Sequence, residues 1–381
     1  MKIGVNALFL IPGQVGGSET YLRQTLAAMV RRHPGHEWVI FANRENRGLL
    51  ARDLPSGGAV CLVDMRVRAA RRAARILREQ IDLPRVARRA GVEVLWSPGY
   101  TMPLRAACPR LTSILDLQYR HFPEDFPPLA RWATRLLVGA SCRWSERIAT
   151  ISEFSRQELI RFTDVPIERM DVTPLGVDER FSRRQGGARL AERALALTRA
   201  PDPYLLCVSN SYPHKRLEIA AEACGRLQGR FPHRLVIVGR PRRGEALLAR
   251  AVAGLPEPER VTRLHYVDRD DLVALYQAAD AFLLPSAYEG FGLPLLEALA
   301  AGVPAVATTA GALPEVGGDA YAAVRPGDAA AFAAAVESAL RLSPEARAGQ
   351  IARGRERAAL FTWDATAAAT VAACERARDG G

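Results

Sequence analysis

Short apolar runs alternate with amphipathic segments along almost the whole chain. The apolar runs resemble buried strands in length, and the segments between them repeat their apolar positions at helical spacing. This alternation predicts an α/β fold, in which helices cover parallel β-sheets. The predicted strands lie near 2–7, 37–42, 59–63, 93–96, 111–115, 147–151, 171–173, 204–208, 234–238, 262–266, 281–284, 304–308 and 321–324.

The same pattern divides the chain into two halves. An Arg- and Ala-rich segment with little strand character, 181–203, is predicted to be an interdomain connection with room for a short helix. We therefore predict two α/β domains, 1–180 and 204–360, and a C-terminal helix within 361–381. The last predicted helices cover 328–342, 345–358 and 364–378.

The composition is that of a soluble globular protein. The chain has 381 residues, of which 49% are hydrophobic and 24% are charged, and no apolar run is long enough to span a bilayer. The N-terminal apolar run is broken by Gly4 and Asn6, which favours a first strand over a signal peptide. Six scattered cysteines without a C-x-x-C pair indicate reduced thiols. The expected location is the cytoplasm.

Positive charge comes almost entirely from arginine. The net charge is +11, and of 52 basic residues two are lysines, Lys2 and Lys215. In a chain that otherwise uses arginine, a lysine at position 215 indicates that a compact point charge is needed there. Arginines interleaved with apolar residues between Arg66 and Arg89 predict a basic helical surface, which either contacts an anionic membrane or is simply solvated. No aromatic residues alternate with these arginines, and no known nucleic-acid-recognition motif is visible, which argues against nucleic-acid binding.

Residues 287–308, A-Y-E-G-F-G-L-P-L-L-E-A-L-A-A-G-V-P-A-V-A-T, carry the most informative chemistry. Glu289 and Glu297 flank a glycine-rich turn, and Pro294 marks the first turn of a predicted helix. Glycines let a ligand approach the backbone, and the N–H groups at a helix start attract an anion. Carboxylates accept hydrogen bonds from hydroxyl groups. A ligand that has both phosphates and hydroxyls is a sugar nucleotide.

A second segment, 204–218, reads Y-L-L-C-V-S-N-S-Y-P-H-K-R-L-E. A predicted strand ends at Ser209 and Asn210, and a turn then brings Lys215 and Arg216 to the start of a helix. A cation at the carboxyl edge of the sheet would face Glu289 and neutralise a leaving diphosphate. The alternative is a solvated basic turn.

The N-terminal half contributes two further candidates. Gly16 and Gly17 follow the first predicted strand and precede a helix, where backbone N–H groups can meet a diphosphate or a sugar, although Ser18 could equally be a simple helix cap. Asp116 and His121, within 112–126, follow a later strand and could bind hydroxyl groups. A structural role is equally compatible with them, because Asp at a strand end commonly forms a turn.

Together these segments resemble retaining glycosyltransferases of family 4, which carry an E-x7-E signature and have the GT-B architecture of two Rossmann-like domains facing a cleft. The resemblance spans nearly the full chain and is most specific between 204 and 316. It implies transfer of a hexose, with mannose from GDP-mannose as the family-level expectation, to a glycan or lipid-linked acceptor in envelope or exopolysaccharide biosynthesis. It also implies that the last helix crosses back to the N-terminal, acceptor-side domain.

The resemblance implies roles for individual residues. Glu289, Lys215 and Asp116 are the expected catalytic residues, Glu297 is expected to bind the ribose, and Asp116 and His121 the acceptor. The expected donor-binding residues are Gly16, Gly17, Ser209, Asn210, Lys215, Arg216, Glu289, Phe291, Gly292, Leu293 and Glu297. The family mechanism is debated, and a front-face displacement fits a site without an obvious nucleophile.

Two departures from the family pattern keep alternatives open. Family members often have His-Asp where this chain has Leu115-Asp116, and an arginine about six residues before the lysine where this chain has Ser209. The alternatives are a sugar-nucleotide epimerase or hydrolase on the same fold, and a non-catalytic sugar-nucleotide-binding or scaffold protein.

The acidic run Asp268–Asp271 contains a D-x-D pattern, which holds a metal ion in some other glycosyltransferases. Here it stands between a predicted strand and a predicted helix, where Asp is favoured as a cap. We therefore expect metal-independent chemistry, with no cofactor besides the donor substrate.

Overall fold

The computed structural model describes residues 1–55, 57–183, 187–201 and 203–380. The strands, in chain order within those residues, are β1 Lys2–Asn6, β2 Glu37–Ala42, β3 Val60–Asp64, β4 Val94–Ser97, β5 Arg110–Ser113, β6 Arg147–Thr150, β7 Met170–Val172, β8 Tyr204–Val208, β9 Arg234–Val238, β10 Val261–Leu264, β11 Ala281–Leu284, β12 Ala305–Thr308 and β13 Ala322–Val324. The helices are α1 Gly17–Arg32, α2 Arg47–Asp53, α3 Arg72–Arg89, α4 Gln118–His121, α5 Pro128–Trp144, α6 Glu153–Phe162, α7 Glu179–Ser182, α8 Gly187–Thr198, α9 Leu217–Leu227, α10 Glu245–Ala253, α11 Arg269–Ala278, α12 Leu293–Ala301, α13 Leu313–Gly317, α14 Ala329–Leu340, α15 Pro344–Ala359 and α16 Trp363–Asp379.

The chain forms two compact units. Unit 1 consists of Met1–His121, Pro127–Gly176 and Thr362–Gly381, and unit 2 consists of Phe122–Phe126 and Val177–Phe361. Helix α16 therefore belongs to unit 1, where it packs along α1. The segment predicted as a connection lies in unit 2, where α8 packs against α11; its residues 184–186 and 202 are outside the described residues.

Unit 1 is built on a parallel sheet with the strand order β3-β2-β1-β4-β5-β6-β7. The side chains of Ile3 and Val5 on the central strand β1 are fully buried, because helices cover both faces of such a sheet. Since all these strands run in the same direction, the loops that follow them lie at one edge, which is the ligand-binding edge of open α/β sheets.

Unit 2 is built on a parallel sheet with the order β10-β9-β8-β11-β12-β13. Chain order reverses between β8 and β11, and ligands of such sheets bind in the crevice outside the carboxyl ends of the strands at this switch point. The loop after β8 carries Lys215, and the loop after β11 carries Glu289. The topology therefore places the two sequence segments with the strongest chemistry side by side.

The structure confirms the fold class and every predicted strand, with ends shifted by at most two residues. The alternative that Ser18 is the helix cap does not hold, because α1 begins at Gly17 and Gly16 is its N-cap. Cys142, Cys207, Cys224 and Cys374 are buried, as expected of reduced thiols. In the described part of the chain, no helix is both long and apolar enough to cross a membrane.

Candidate active site

The loops after β8 and β11 join Lys215 to Glu289. Lys215 ends a short 3-10 turn, and its Nζ donates a hydrogen bond to Glu289 Oε1 at 2.9 Å. Ser286 Oγ donates to the same oxygen at 2.7 Å. The Glu289 side chain is 8% exposed and the Lys215 side chain 21%. The ion pair is thus largely shielded from water, which strengthens its electrostatic interaction, and the lysine is the more accessible partner.

Neighbouring loops hold the backbone of Glu289 in place. Ala287 N–H donates to the His214 carbonyl at 2.7 Å, which ties the two site loops together. Ala312 N–H donates to the Glu289 carbonyl at 2.9 Å. Gly311 has φ +60°, and a Cβ built there would lie 2.1 Å from the Glu289 carbonyl oxygen. Only glycine fits this position, because it combines a left-handed backbone with direct contact on the site loop.

The start of α12 presents free backbone donors. Gly292 is the N-cap, with φ +99°, and provides no side-chain cap. Among the described residues, the N–H groups of Phe291, Gly292 and Leu293 have no hydrogen-bond acceptor. Pro294 occupies the first turn, as predicted, where its missing N–H costs nothing. This arrangement suits an anion, because free amides and the positive helix end coincide.

Ser209 and Asn210 shape the loop that leads to Lys215. Asn210 Oδ1 accepts from Arg240 N–H at 2.8 Å, and Ser209 Oγ donates to the Asn210 carbonyl at 3.1 Å. A Cβ on Gly239 would lie 2.1 Å from the Ser209 carbonyl oxygen, so the loop after β9 packs directly on this one. Both predicted donor-binding side chains are therefore engaged in holding the loop.

Arg216 makes the turn between Lys215 and α9. Its backbone is left-handed, with φ +52°, and it stands at the N-cap of α9. Its exposed guanidinium lies 3.5 Å from the carboxylate of Glu218. The backbone of Arg216, more than its charge, positions the lysine.

Glu297 lies one turn inside α12, as predicted, but it is enclosed. Its carboxylate is 3.1 Å from Arg269 Nη1 and accepts a hydrogen bond from Tyr276 Oη at 3.2 Å. The residue is 3% exposed. Burial raises the pKa of Glu297, and the neighbouring Arg269 opposes that shift. Arg269 also reaches Asp178, with its Nε 3.4 Å from Asp178 Oδ2.

A buried histidine–carboxylate pair lies next to Lys215. His214 Nδ1 is 2.5 Å from Asp125 Oδ2, and both side chains are almost fully enclosed. The rings of Phe122 and Tyr212 lie 5.6 and 5.7 Å from the imidazole. Burial and the charge of Lys215 lower the pKa of His214, whereas Asp125 raises it. The pair therefore fixes the turn that carries Lys215.

The acidic run 268–271 caps a helix, as predicted. Asp268 is the N-cap of α11, and its side chain accepts from Asp271 N–H at 2.7 Å. Asp270 pairs with Arg180 at 3.1 Å, and Asp271 pairs with Arg193. In the described residues, His, Cys, Asp and Glu side chains form no group of three suited to a metal ion.

In unit 1, the Gly16–Gly17 pair starts α1 at the carboxyl edge of the sheet. Gly16 has φ +58°, which favours glycine. A Cβ on Gly17 would meet nothing within 4 Å, so its backbone is open to a ligand. Glu19 Oε2 accepts from Gly13 N–H at 2.6 Å, and its other oxygen pairs with Arg23, which holds the loop.

Asp116 and His121, also in unit 1, are both engaged. Asp116 Oδ1 accepts from Gln118 N–H at 3.1 Å, which starts the short helix α4. The His121 imidazole pairs with the buried Glu158. Leu115, which replaces the histidine common in the family, is 4% exposed and belongs to the core. The structural interpretation of these residues is supported, and their role toward a ligand stays a prediction.

Three residues of the site are not predicted by the sequence: Arg269, Tyr276 and Asp125. Arg269 lies in the acidic run, whose pattern is that of a helix cap, and the available signal is an arginine among three aspartates. Tyr276 and Asp125 lie 21 and 89 residues from their partners Glu297 and His214. Spacing along the chain gave no sign of either contact.

The arrangement in unit 2 can bind a ligand with phosphates and hydroxyl groups. A shielded cation and three free amides can neutralise negative charge that develops on a leaving group. Two carboxylates, one beside the cation and one deeper in the helix, can accept hydrogen bonds from hydroxyl groups.

Comparison with known proteins places the chain among glycosyltransferases. Residues 15–181 match the family model "Glycosyltransferase Family 4", and residues 202–341 match "Glycosyl transferases group 1". The O-antigen chain mannosyltransferase B of Escherichia coli is 33% identical over 272 residues, which cover 70% of each chain. A D-inositol 3-phosphate glycosyltransferase of Mycolicibacterium paratuberculosis is 28% identical over 96% of this chain and 86% of its own.

Solved structures show the same fold. The Anabaena protein Alr3699/HepE, in complex with UDP-glucose, aligns with a TM-score of 0.76 over 98% of this chain and 99% of its own, at 19% identity. WaaG, a glycosyltransferase involved in lipopolysaccharide biosynthesis, aligns with a TM-score of 0.71 over 98% of both chains. Sequence and fold thus agree: the chain belongs to glycosyltransferase family 4 and is a glycosyltransferase.

Proposed function

We propose that the enzyme is a retaining transferase that moves a hexose from a nucleoside diphosphate sugar to a hydroxyl group of a glycan or lipid-linked acceptor. Mannose from GDP-mannose is the first candidate donor, and envelope or exopolysaccharide biosynthesis is the proposed setting. One observation carries the proposal: the Lys215–Glu289 pair adjoins three free amides at the start of α12. A departing diphosphate needs this combination of a cation and preorganised donors.

Each charged group has a proposed role. Lys215 and the amides of residues 291–293 hold the diphosphate. Glu289 accepts hydrogen bonds from the donor sugar and orients its ring. Glu297, fixed by Arg269 and Tyr276, uses its remaining lone pairs to accept from the ribose hydroxyls.

The reaction we propose is a front-face displacement. The bond between the anomeric carbon and the diphosphate oxygen breaks, and the diphosphate leaves with the electron pair. The acceptor oxygen bonds to the anomeric carbon from the same face, and its proton passes to a diphosphate oxygen.

We propose that Lys215 and the amides balance the charge without a metal ion, since the carboxylates of 268–271 are engaged as a cap and with Arg180 and Arg193. Full turnover in EDTA would support this, and loss restored by Mg²⁺ would contradict it.

The relatives support mannose but leave the nucleotide to experiment. The E. coli relative is named a mannosyltransferase, whereas the Anabaena structure contains UDP-glucose. Thermal-shift measurements with GDP, UDP, ADP, dTDP and their common sugars test the donor, because a ligand of the native state raises its stability. We expect one nucleotide, GDP first, to raise the melting temperature, and Glu297→Ala to abolish the shift.

Product analysis separates the remaining activities. A transferase consumes donor in proportion to acceptor, a hydrolase releases free sugar without acceptor, and an epimerase yields an isomeric sugar nucleotide. Binding of a nucleotide sugar with no turnover in the presence of glycan and lipid-linked acceptors would favour the scaffold alternative.

A peripheral membrane contact through 66–89 is a second proposal. On α3 the side chains of Leu77 and Ile81 are 59% and 43% exposed among arginines, and on the adjoining helix α5 Trp132 is 61% exposed. Arginine and tryptophan suit an anionic bilayer surface. Replacing Leu77 and Ile81 with Gln should weaken binding to phosphatidylglycerol vesicles, whereas the same change at Leu247 and Leu360, which are exposed in unit 2, should not. Equal binding by both pairs would exclude this surface.

A further inference from the structure

Unit 1 contains a pocket that the proposed donor site does not use. It has a volume of about 380 Å³, and we call it the arginine pocket, lined by Arg44, Arg66, Val67, Arg68, Arg71, Ala74 and Arg78. Arg44 lies in the loop after β2, and Arg66–Arg71 form the loop after β3. The pocket therefore lies at the carboxyl edge of the unit 1 sheet, where ligands of parallel sheets bind.

The backbone around the pocket is held by specific contacts. Arg44 N–H donates to the Val67 carbonyl at 2.9 Å, which links the two loops. Arg66 is left-handed, with φ +52°, and its N–H donates to Asp64 Oδ1 at 2.8 Å. Ala69 N–H donates to Glu45 Oε2 at 3.0 Å, and Val67 and Ala69 are buried. The pocket is a shaped part of the fold, with its arginine side chains on an anchored loop.

Positive charge in the pocket is not compensated by the chain. The nearby carboxylates are already engaged, Asp64 with Arg47 at 3.4 Å and Asp82 with Arg78. Across the described ranges, the guanidinium groups of the other four arginines have no carboxylate partner: Arg44, Arg66, Arg68 and Arg71. Helix α3 begins at the pocket wall without a side-chain cap, and its positive end adds to the same field.

The chemistry of the pocket indicates its ligand. A guanidinium group binds phosphate through two parallel hydrogen bonds, and several of them around one cavity favour a dianion over a carboxylate. The volume falls in the range of small-ligand sites and accommodates a phosphate or diphosphate with part of an attached sugar. We propose that the arginine pocket binds a phosphate or diphosphate group on the acceptor, so that the acceptor substrate of the proposed transferase is a phosphorylated compound. The identification of the ligand as the acceptor rests on the proposed function, whereas the anion site itself does not.

The test uses inorganic pyrophosphate as the probe and the full-length Lys215→Ala protein as the background, so that binding at the proposed donor site is weakened. The pocket variant replaces Arg66, Arg68 and Arg71 with Gln. The matched control replaces Arg85, Arg88 and Arg89 with Gln, which removes the same charge from exposed positions further along α3. Calorimetric titration should show one pyrophosphate site, weakened about tenfold or more in the pocket variant and less than about twofold in the control.

Two further arms identify the source of the phosphate. Mannose 1-phosphate serves as a soluble ligand, and phosphatidylcholine vesicles with or without phosphatidic acid serve as a lipid ligand. Capture by phosphatidic acid vesicles that pyrophosphate displaces, and that the pocket variant loses and the control keeps, supports a lipid-linked phosphate. Binding of mannose 1-phosphate without such capture supports a soluble one. Equal pyrophosphate affinity in the pocket and control variants overturns the proposal. Nucleotide thermal shifts that are measured with Lys215 intact and are lost in Glu297→Ala report separately on the proposed donor site, so failure there leaves the pocket result interpretable.

Discussion

The proposed donor site of unit 2 and the arginine pocket of unit 1 both lie at the carboxyl edge of a parallel sheet, but their charged side chains are paired in one and unpaired in the other. In the donor site Lys215 is paired with Glu289 and Arg269 with Glu297, and both carboxylates are nearly inaccessible. In the arginine pocket the guanidinium groups of residues 44, 66, 68 and 71 are exposed and, among the described residues, have no carboxylate partner.

The difference separates two ways of building a binding site. Where the chain supplies both charges, the groups are oriented before the ligand arrives, and removing one leaves a buried charge uncompensated. Where the chain supplies one sign only, the counter-charge must come from the ligand or from salt. Substitutions in the donor site should therefore affect turnover and stability strongly, and those in the arginine pocket should affect binding with little effect on stability.

The largest expected effect is on turnover in Lys215→Ala. Loss of the cation proposed to hold the diphosphate should lower kcat about a hundredfold or more, equivalent to about 2.7 kcal/mol of transition-state stabilisation. Steady-state kinetics with the donor named by thermal shift measures it.

The matched control for that variant is Lys2→Ala. Lys2 pairs with Glu37 at the same 2.9 Å distance as Lys215 with Glu289, but at the surface. The control should leave kcat unchanged, since exposed pairs contribute little. A near-normal kcat in Lys215→Ala would refute the catalytic assignment and with it the contrast between the two regions.

Gly311→Ala tests how tightly the donor-site loop is held. An added Cβ would lie 2.1 Å from the Glu289 carbonyl oxygen, at a backbone φ of +60°. The control Gly327→Ala shares the positive φ, +86°, but meets nothing within 4 Å. Gly311→Ala should cost about 1–3 kcal/mol more unfolding free energy than Gly327→Ala and reduce turnover. Equal losses in urea denaturation would mean that contact with Glu289 is unimportant.

The strand pattern, the turn at 289–293 and the position of Lys215 could be predicted because each depends on local sequence. Apolar runs at 204–208 and 281–284 specify buried strands, and Pro294 specifies a helix start. Parallel topology then places the loops after neighbouring strands at one edge. The Lys215–Glu289 contact followed from those rules and the chemistry expected between the two loops.

Other features could not be predicted, because they depend on contacts between residues far apart in sequence. Arg269 belongs to a local sequence pattern that is fully accounted for by the start of a helix, yet its guanidinium also contacts Glu297. Asp125 lies in a five-residue segment of unit 2 that separates two stretches of unit 1 in sequence. The sequence predicts the arginine cluster, but the pocket forms because the loop after β2 brings Arg44 beside the loop after β3.

The pH dependence of stability tests the buried pair beside Lys215. Burial and Lys215 lower the pKa of His214 in the folded protein, against the opposing effect of Asp125, so the unfolded chain binds the proton more readily. The unfolding free energy should therefore rise with pH up to about 6.5, the ordinary histidine pKa, by at most about 1.4 kcal/mol per pH unit. Below that value the contribution is lost as pH falls toward the folded pKa. Urea denaturation of His214→Gln should lack this slope, and a slope equal to that of the unchanged protein would assign it to other groups.

The smallest expected effect is on the stability of the arginine-pocket variant, with Gln at positions 66, 68 and 71. These side chains are exposed, and within the described residues none of them pairs with a carboxylate, so their removal should change the unfolding free energy by less than about 0.5 kcal/mol. At low salt the variant should be slightly the more stable protein, because mutual repulsion among the guanidinium groups is relieved, and the difference should vanish as salt screens it. Urea denaturation at low and high ionic strength measures both the change in unfolding free energy and its dependence on salt. A loss of several kcal/mol would show that the arginines hold unit 1 together, and the contrast with the self-compensated donor site would then fail.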